Sequence, residues 1–342
     1  MSIRKVRVDD AVGMVVAHDM TKIVPGEYKG PKFRKGHIIC SEDIPHLKDM
    51  GKEHIYLIDL AKGQIHENEA VRRMAQAVVG ENVFLTEVVE GRVNVKAAVD
   101  GFLKVDQGAV DAVNGVEHAV LSTLHSNRLV KAGDLVAGVK IVPLVVDEAT
   151  VQAVEAISAA TSQGIVSVKL LAEKSVGVVI TGNEVFYGRI DDKYAPVIAA
   201  KMNQYGARIL GTVFQPDERE KIVAAITEFY QQGADIVIAT GGMSVDPDDV
   251  TAAAIRSTGA QVVTYGSPVL PGAMFMLAYL GNMAVLGMPA CGMYSKITVL
   301  DLVLPRILTG EQLTKTDIAR LGYGGLCVSC PDCHYPQCPF GK

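Results

Sequence analysis

Residues 235–251 read DIVIATGGMSVDPDDVT, the most informative run of the chain. Ile236-Val237-Ile238-Ala239 is a short apolar run of the kind buried inside parallel sheets. Gly241 and Gly242 follow at once, and a backbone without Cβ can turn sharply there and lie close to a ligand. Pro247 suits a first helical turn, and Asp248 and Asp249 suit a helix N-terminus. The expectation is a strand, a tight turn and a helix whose free N–H groups form an anion site. Thr240 and Ser244 add hydroxyls at the same edge. Two carboxylates beside such a site fit a divalent cation or a proton acceptor. The same turn also serves plain strand-to-helix capping without any ligand.

An alternation of strand and helix begins near residue 165. The pattern predicts strands over 176–180 and 208–213, helices over 194–205 and 217–232, then the strand 236–239 and a helix over 248–257. The helix over 217–232 is amphipathic, with Ile222, Ala225, Ile226 and Phe229 on one face. A strand near 261–263, a hairpin of 274–279 with 283–286 around Gly281-Asn282, and a helix over 294–308 complete the series. Repeated units of this kind predict a mainly parallel sheet with helices on both faces, a three-layer α/β domain. Ligands of such sheets sit at the carboxyl ends of the strands. Three loops fall there: Thr181-Gly182-Asn183-Glu184, the Gly241-Gly242 turn, and the run from Gly287 and Pro289 to Gly292.

The first 164 residues read differently. Short Val- and Ile-rich segments such as VRVDDAVGMVVAHDM, KGHIICSED and KEHIYLIDL are separated by Gly, Asp and Asn. Helices are expected over 69–78 and 147–160. The expected organisation is a mixed, β-rich region over 1–164, the α/β domain over 165–312 and a Cys-rich tail over 313–342.

Composition narrows the function. The chain has 342 residues and a net charge of −5, which argues against nucleic acid as the main partner. Its first residues, MSIRKVRVDD, are charged and carry no apolar signal-peptide core. Residues 257–295 contain no charged side chain, but Pro268, Pro271-Gly272, Gly281-Asn282 and Pro289 interrupt them, so buried strands are expected rather than a membrane span. A cytoplasmic protein with no membrane partner is the expectation.

Cys327, Cys330, Cys333 and Cys338 are spaced C-x2-C-x2-C-x4-C, with His334 among them. In a reducing compartment this clustering points to metal rather than disulfides. The run is similar to a ferredoxin pattern but one residue longer in its last spacer, so an iron–sulfur cluster and a zinc ion are both open. A tail that holds nothing is the plainer alternative.

The α/β region resembles the molybdopterin-binding domain of molybdenum cofactor biosynthesis proteins, nearest to their molybdopterin molybdenumtransferase branch. TGNEV (181–185) is similar to that family's TGDEL, TGGMSVDPDD to its TGGVSVGxxD, SPVLPGAMF to its MKPGKP stretch and GMPACGMYS to its GLPGNPVS. The resemblance implies molybdopterin as ligand or substrate, with molybdate or tungstate and a divalent cation such as magnesium. It implies pterin-binding roles for Thr181, Gly182, Asn183, Thr240, Gly241, Gly242, Ser244, Asp248, Pro271, Gly272, Gly287 and Pro289, and catalytic roles for Asp249 and Glu184. It further implies metal insertion into adenylylated molybdopterin and a homo-oligomer. A non-catalytic carrier or sensor of the finished cofactor is the alternative. Asn183 stands where the family has Asp, and Ala273 where it has the Lys of PGKP, an anion partner whose loss bears on catalysis. Cys291 puts a thiol into the GNP position, where a small buried hydrophobe is the simpler reading. Related domains also occur in pyridine-nucleotide salvage proteins, which gives a nucleotide-processing hydrolase as a third reading.

Overall fold

The structure, a computed structural model, describes residues 2–14, 16–24, 28–59, 61–243 and 250–341. The chain divides into two compact units. One comprises 1–99, 105–124 and 132–168, and the other 100–104, 125–131 and 169–342.

Among its described residues the first unit is built from antiparallel ladders and four α-helices. Ser2–Arg7 pairs with His54–Asp59, Met20–Val24 with Tyr28–Phe33, and Gln64–His66 with Val145–Asp147. A four-stranded sheet runs in the order Val83–Leu85, Arg92–Ala97, Leu135–Ile141, Ala119–Thr123. Along Arg92–Ala97, Val93, Val95 and Ala97 are buried in alternation with more exposed neighbours, as a sheet with one packed face requires. Helices Glu67–Val78 and Glu148–Ala159 are joined by Arg73, whose guanidinium donates to both Glu148 (2.7 Å) and Glu155 (2.9 Å). The expected mixed, β-rich character of this region is what the structure has.

The second unit holds the six-stranded sheet. Its elements are β1 (Ser175–Thr181), α1 (Tyr194–Tyr205), β2 (Arg208–Gln215), α2 (Arg219–Gln231), β3 (Ile236–Thr240), α3 (Thr251–Ser257), β4 (Gln261–Tyr265), β5 (Met276–Leu280), β6 (Met283–Met288), α4 (Val299–Leu308) and α5 (Lys315–Arg320). The strand order is β2-β1-β3-β6-β5-β4. The pairs β1–β2, β1–β3 and β3–β6 are parallel, and the β5–β6 hairpin and β4 add an antiparallel edge. Every residue of β1, β3 and β6 is buried, because helices cover both faces. Ile236 and Ile238 pack on one face with Ile198, Met202 and Val303; Val237 and Ala239 pack on the other with Ile222, Ile226, Phe229 and Ile255.

The helix expected over 194–205 is found with those limits, and the others shift. The last predicted helix starts at Val299 rather than near residue 294. Thr298 caps it, its hydroxyl accepting the Leu300 N–H and its own N–H donating to Asp301, and a short 3-10 turn occupies Ala290–Met293. The described part of the helix expected over 248–257 begins at Thr251, and residues 248 and 249 lie outside the described residues. Helix α5 goes beyond the expected elements, although a Thr314–Asp317 capping box starts it.

Beyond α5 the chain returns to the core. Leu270 N–H donates to Gly325 O (2.8 Å), Cys327 N–H to Leu270 O (2.8 Å) and Gly341 N–H to Gly324 O (2.9 Å). Phe340 is buried in the same apolar cluster as α1 and α4.

One ion pair lies inside that cluster. Lys201 of α1 donates to Asp301 of α4, and the Asp301 side chain is only 1% exposed. Asp301 also accepts the Thr298 N–H and, more weakly, the Tyr205 hydroxyl (3.4 Å). Burial, reinforced by this carboxylate, pushes the Tyr205 hydroxyl far above its usual range. Asp301→Ala leaves the Lys201 ammonium buried without a counter-charge and removes the α4 cap. The expected cost is about 3–5 kcal/mol, read by urea unfolding at neutral pH. A change no larger than that of an exposed ion pair would remove this pair from the account of stability.

Candidate functional site

The site begins with strand register. Ile180 of β1 lies opposite Thr240 of β3, and Thr240 lies opposite Met288 of β6, so these parallel strands end side by side. The loops that follow them share one edge of the sheet, where strand-end ligands bind.

Thr181 ties this edge together. Its hydroxyl donates to the Thr240 carbonyl (2.8 Å) and stands 2.9 Å from the Thr251 hydroxyl at the start of α3. Thr251 N–H donates to Gly242 O (3.1 Å), and the Tyr265 hydroxyl donates to Met243 O (3.0 Å). The turn between is tight enough to demand glycine. Gly241 has φ of +80°, and a Cβ there would sit 2.3 Å from the Thr181 carbonyl oxygen. Thr240 is fully buried, and its hydroxyl has no hydrogen-bond partner among the described residues. A buried hydroxyl left unpaired costs roughly 1–3 kcal/mol. By strand alternation it shares the face of Ile236 and Ile238, the face on which Tyr194 packs.

A cleft of about 370 Å³ opens beside this turn. Gly241, Gly242, Pro271, Gly272 and Pro289, all expected site residues, line it, together with Tyr194, Met243, Leu270, Ala273, Met274, Ala290 and Cys291. No side chain among these described residues is charged at neutral pH. Burial, then the nearby Cys291, pushes the Tyr194 hydroxyl up to about 12, while a backbone hydrogen bond from Gly241 opposes the rise. Burial likewise pushes the Cys291 thiol up. Both groups therefore stay protonated at neutral pH. The cleft offers apolar walls, backbone N–H groups and neutral hydroxyl and thiol donors, which suits a planar, polar-edged ligand better than a bare ion.

The remaining expected residues are placed as follows. Thr181 and Thr240 lie beneath the turn rather than on the cleft surface. Glu184 is exposed on the single helical turn Asn183–Phe186. Asn183 is engaged with the loop after β2: its N–H donates to the Asp217 carboxylate (2.9 Å), and its side-chain carbonyl accepts the Asp217 N–H (3.3 Å). Gly287 sits inside β6, where a Cβ would overlap the Met243 methyl at 2.5 Å, so its small size serves packing under the turn. Gly182 is buried behind Glu184. Ser244, Asp248 and Asp249 lie outside the described residues.

Tyr194 is a cleft residue that the sequence reading does not single out. Its helix is aimed by Asp192, whose carboxylate accepts the N–H of Tyr194 (2.8 Å) and of Ala195 (2.9 Å). The Asp192-x-Tyr194 spacing at a helix start is the available signal. Asp192 itself is spent on that cap.

The tail cysteines border a second cavity of about 400 Å³, lined by Cys327, Cys330, Cys333, His334 and Cys338 with Tyr335, Phe340 and Lys296. All six cysteines of the chain are free thiols. Among the described residues, no three His, Cys, Asp or Glu side chains are already gathered around a point that could hold a metal ion. No described helix is long and apolar enough to cross a membrane.

Comparison with known proteins follows the same division of the chain. Residues 177–309 match the family described as a probable molybdopterin binding domain, and residues 5–59 match a domain of unknown function, DUF8806. A CinA-like protein of Citrifermentans bemidjiense is 39% identical over 88 residues, which are 25% of this chain and 21% of the relative. A CinA-like protein of Mycobacterium tuberculosis is 32% identical over 88 residues, 25% of this chain and 20% of the relative. The chain thus spans about a fifth of the length of these curated relatives. Among solved structures, the molybdopterin biosynthesis enzyme MoaB of Thermus thermophilus is 19% identical, with a TM-score of 0.34, covering 40% of this chain and 98% of that one. The tungsten cofactor synthesizing protein MoaB of Pyrococcus furiosus is 18% identical, with a TM-score of 0.33, covering 40% of this chain and 96% of that one. The α/β sheet with its strand-end cleft lies within the segment matched as a probable molybdopterin binding domain.

Proposed function

We propose that the strand-end cleft binds molybdopterin and that the protein acts in molybdenum or tungsten cofactor biosynthesis, in the cytoplasm and as a homo-oligomer. One observation carries this reading: the segment matched as a probable molybdopterin binding domain is the segment whose strand ends build the glycine turn, the unpaired Thr240 hydroxyl and the neutral cleft. The terminal phosphate of the pterin would take the backbone N–H of Gly242 and the Ser244 hydroxyl, and would reach the Thr240 hydroxyl by displacing the turn that covers it. The ring system would lie between the Pro271-Gly272 and Pro289 walls, with Tyr194 at its edge.

The finer proposal follows the molybdenumtransferase branch. Adenylylated molybdopterin would be hydrolysed, water attacking phosphorus and AMP leaving, as molybdate delivers the metal to the dithiolene. Asp249, Asp248 and Glu184 are the acidic groups to hold a divalent cation and take the water's proton. A specific observation favours the carrier reading instead. Ala273 lines the cleft where the family has Lys, and no cation stands among the described lining residues to offset charge on a departing phosphate.

Two measurements separate these readings. Purified protein is mixed with adenylylated molybdopterin, molybdate and Mg²⁺. AMP release with active cofactor identifies the transferase, tight binding without turnover identifies the carrier, and absence of binding removes both. In the transferase case, Asp249→Ala abolishes turnover with the circular dichroism spectrum unchanged; wild-type rates in that variant would take Asp249 out of the mechanism.

Thr240→Val tests the phosphate contact itself. Removing a hydroxyl that has no partner among the described residues leaves unliganded stability equal or raised, while pterin affinity falls about tenfold, the worth of one hydrogen bond. Unchanged affinity by calorimetry would show that the ligand does not use this group.

A further inference from the structure

We propose that Cys327, Cys330, Cys333 and Cys338 hold a thiolate-bound metal centre, in a loop that the α/β unit closes at its base. The inference does not rest on pterin binding.

The loop is pinned at both ends. Cys327 N–H donates to Leu270 O, and Gly341 N–H donates to Gly324 O, so the chain leaves and re-enters at one place. Phe340, 3% exposed, anchors the return, and Tyr335 packs against the same core. Between Cys327 and Phe340 everything is polar, small or proline apart from Tyr335 and the exposed Val328. Such a segment buries too little apolar surface to offset the entropy of ordering it, roughly 1–2 kcal/mol per residue. Small motifs in that position are completed by cross-links, either disulfides or metal–thiolate bonds.

All four thiols border the same cavity of about 400 Å³, and each is free. Cys327 and Cys338 are half-buried against the core and fixed by it, while Cys330 and Cys333 stand on the exposed limb. Ser329, in the left-handed region at φ +52°, turns the chain so that its N–H points at the Cys327 sulfur (3.5 Å). The sulfurs border the cavity without converging on a preformed site among the described residues. Binding folds the exposed limb inward, brings each sulfur to about 2.3 Å from a zinc ion or onto the irons of a cluster, and releases the thiol protons to solvent. Cys40 and Cys291 lie outside the loop and take no part.

Full-length protein purified anaerobically is analysed for zinc, iron and acid-labile sulfide and by absorption spectroscopy. One zinc per chain in a colourless protein identifies the ion; iron and sulfide in equal amounts with broad visible absorption identify the cluster. Thiol titration of the loaded native chain should find only Cys40 and Cys291 reactive, and all six cysteines after unfolding in chelator. Cys330→Ser and Cys333→Ser should each lose the metal, while Cys40→Ser keeps it. The proposal is overturned if the chain holds no stoichiometric metal as isolated and takes up none from zinc, or from iron with sulfide. It is equally overturned if all six thiols stay reactive in the loaded native chain. The titration uses wild-type protein, so the test survives a serine variant that misfolds.

Discussion

The Thr181 hydroxyl holds three pieces of the α/β unit at one point. It donates to the last carbonyl of β3, touches the hydroxyl that opens α3, and belongs to the last residue of β1. Parallel strands leave their C-terminal edge ragged, because each must hand the chain to a different crossover. Here one buried hydroxyl keeps two neighbouring strand ends level and spaces the helix that follows. The glycine turn can then pass within contact distance of Thr181 itself. Were that edge to spread, the turn would lose its constraint and the cleft its floor. The neighbouring Thr240 hydroxyl shows the other half of the arrangement: the same buried edge that satisfies Thr181 leaves Thr240 without a partner among the described residues.

The α/β architecture was legible because burial on both faces writes itself into continuous apolar runs. VGVVI, IVIA and MAVLGM admit no other placement once amphipathic segments such as 217–232 alternate with them. Boundaries were less legible where side chains rather than periodicity set them. Val299 starts α4 because Thr298 and Asp301 satisfy each other's backbone, a capping box present in the sequence as Thr298-x-x-Asp301 but invisible to apolar periodicity. In the first unit the two long helices were legible but the strand order was not, since antiparallel ladders joined by irregular connections leave it unspecified by local pattern.

For the site, glycine and proline positions were the readable part, and Gly241, Gly242, Pro271, Gly272 and Pro289 do line one cleft. Side chains that arrive from elsewhere in sequence were not. Tyr194 reaches the cleft only because α1 packs across the sheet, and the clamp between Asn183 and Asp217 joins loops that are neighbours solely through β1–β2 pairing. Gly287 shows the converse limit. Its position beside a ligand loop and its position under Met243 look identical in sequence, and only packing separates a contact residue from a spacer.

The wall formed by residues 270–274 carries almost no secondary structure of its own, so its rigidity must come from outside hydrogen bonds. Following them accounts for its position. Gly272 O accepts the Ser267 hydroxyl and the Phe275 N–H, Ala273 O accepts the Ser267 N–H, and Pro271 O accepts the Val299 N–H at the head of α4. The two groups of Leu270 are taken by Gly325 and Cys327. Part of what fixes this wall is therefore local, and the rest is the strand-like contact with the cysteine loop. Pro271 borders both cavities. A chain lacking that loop would keep the glycine turn and the strand ends, but the Leu270 carbonyl at the mouth of the cleft would lose its Cys327 partner. The cysteine loop is thus part of the cleft's construction, whatever it binds.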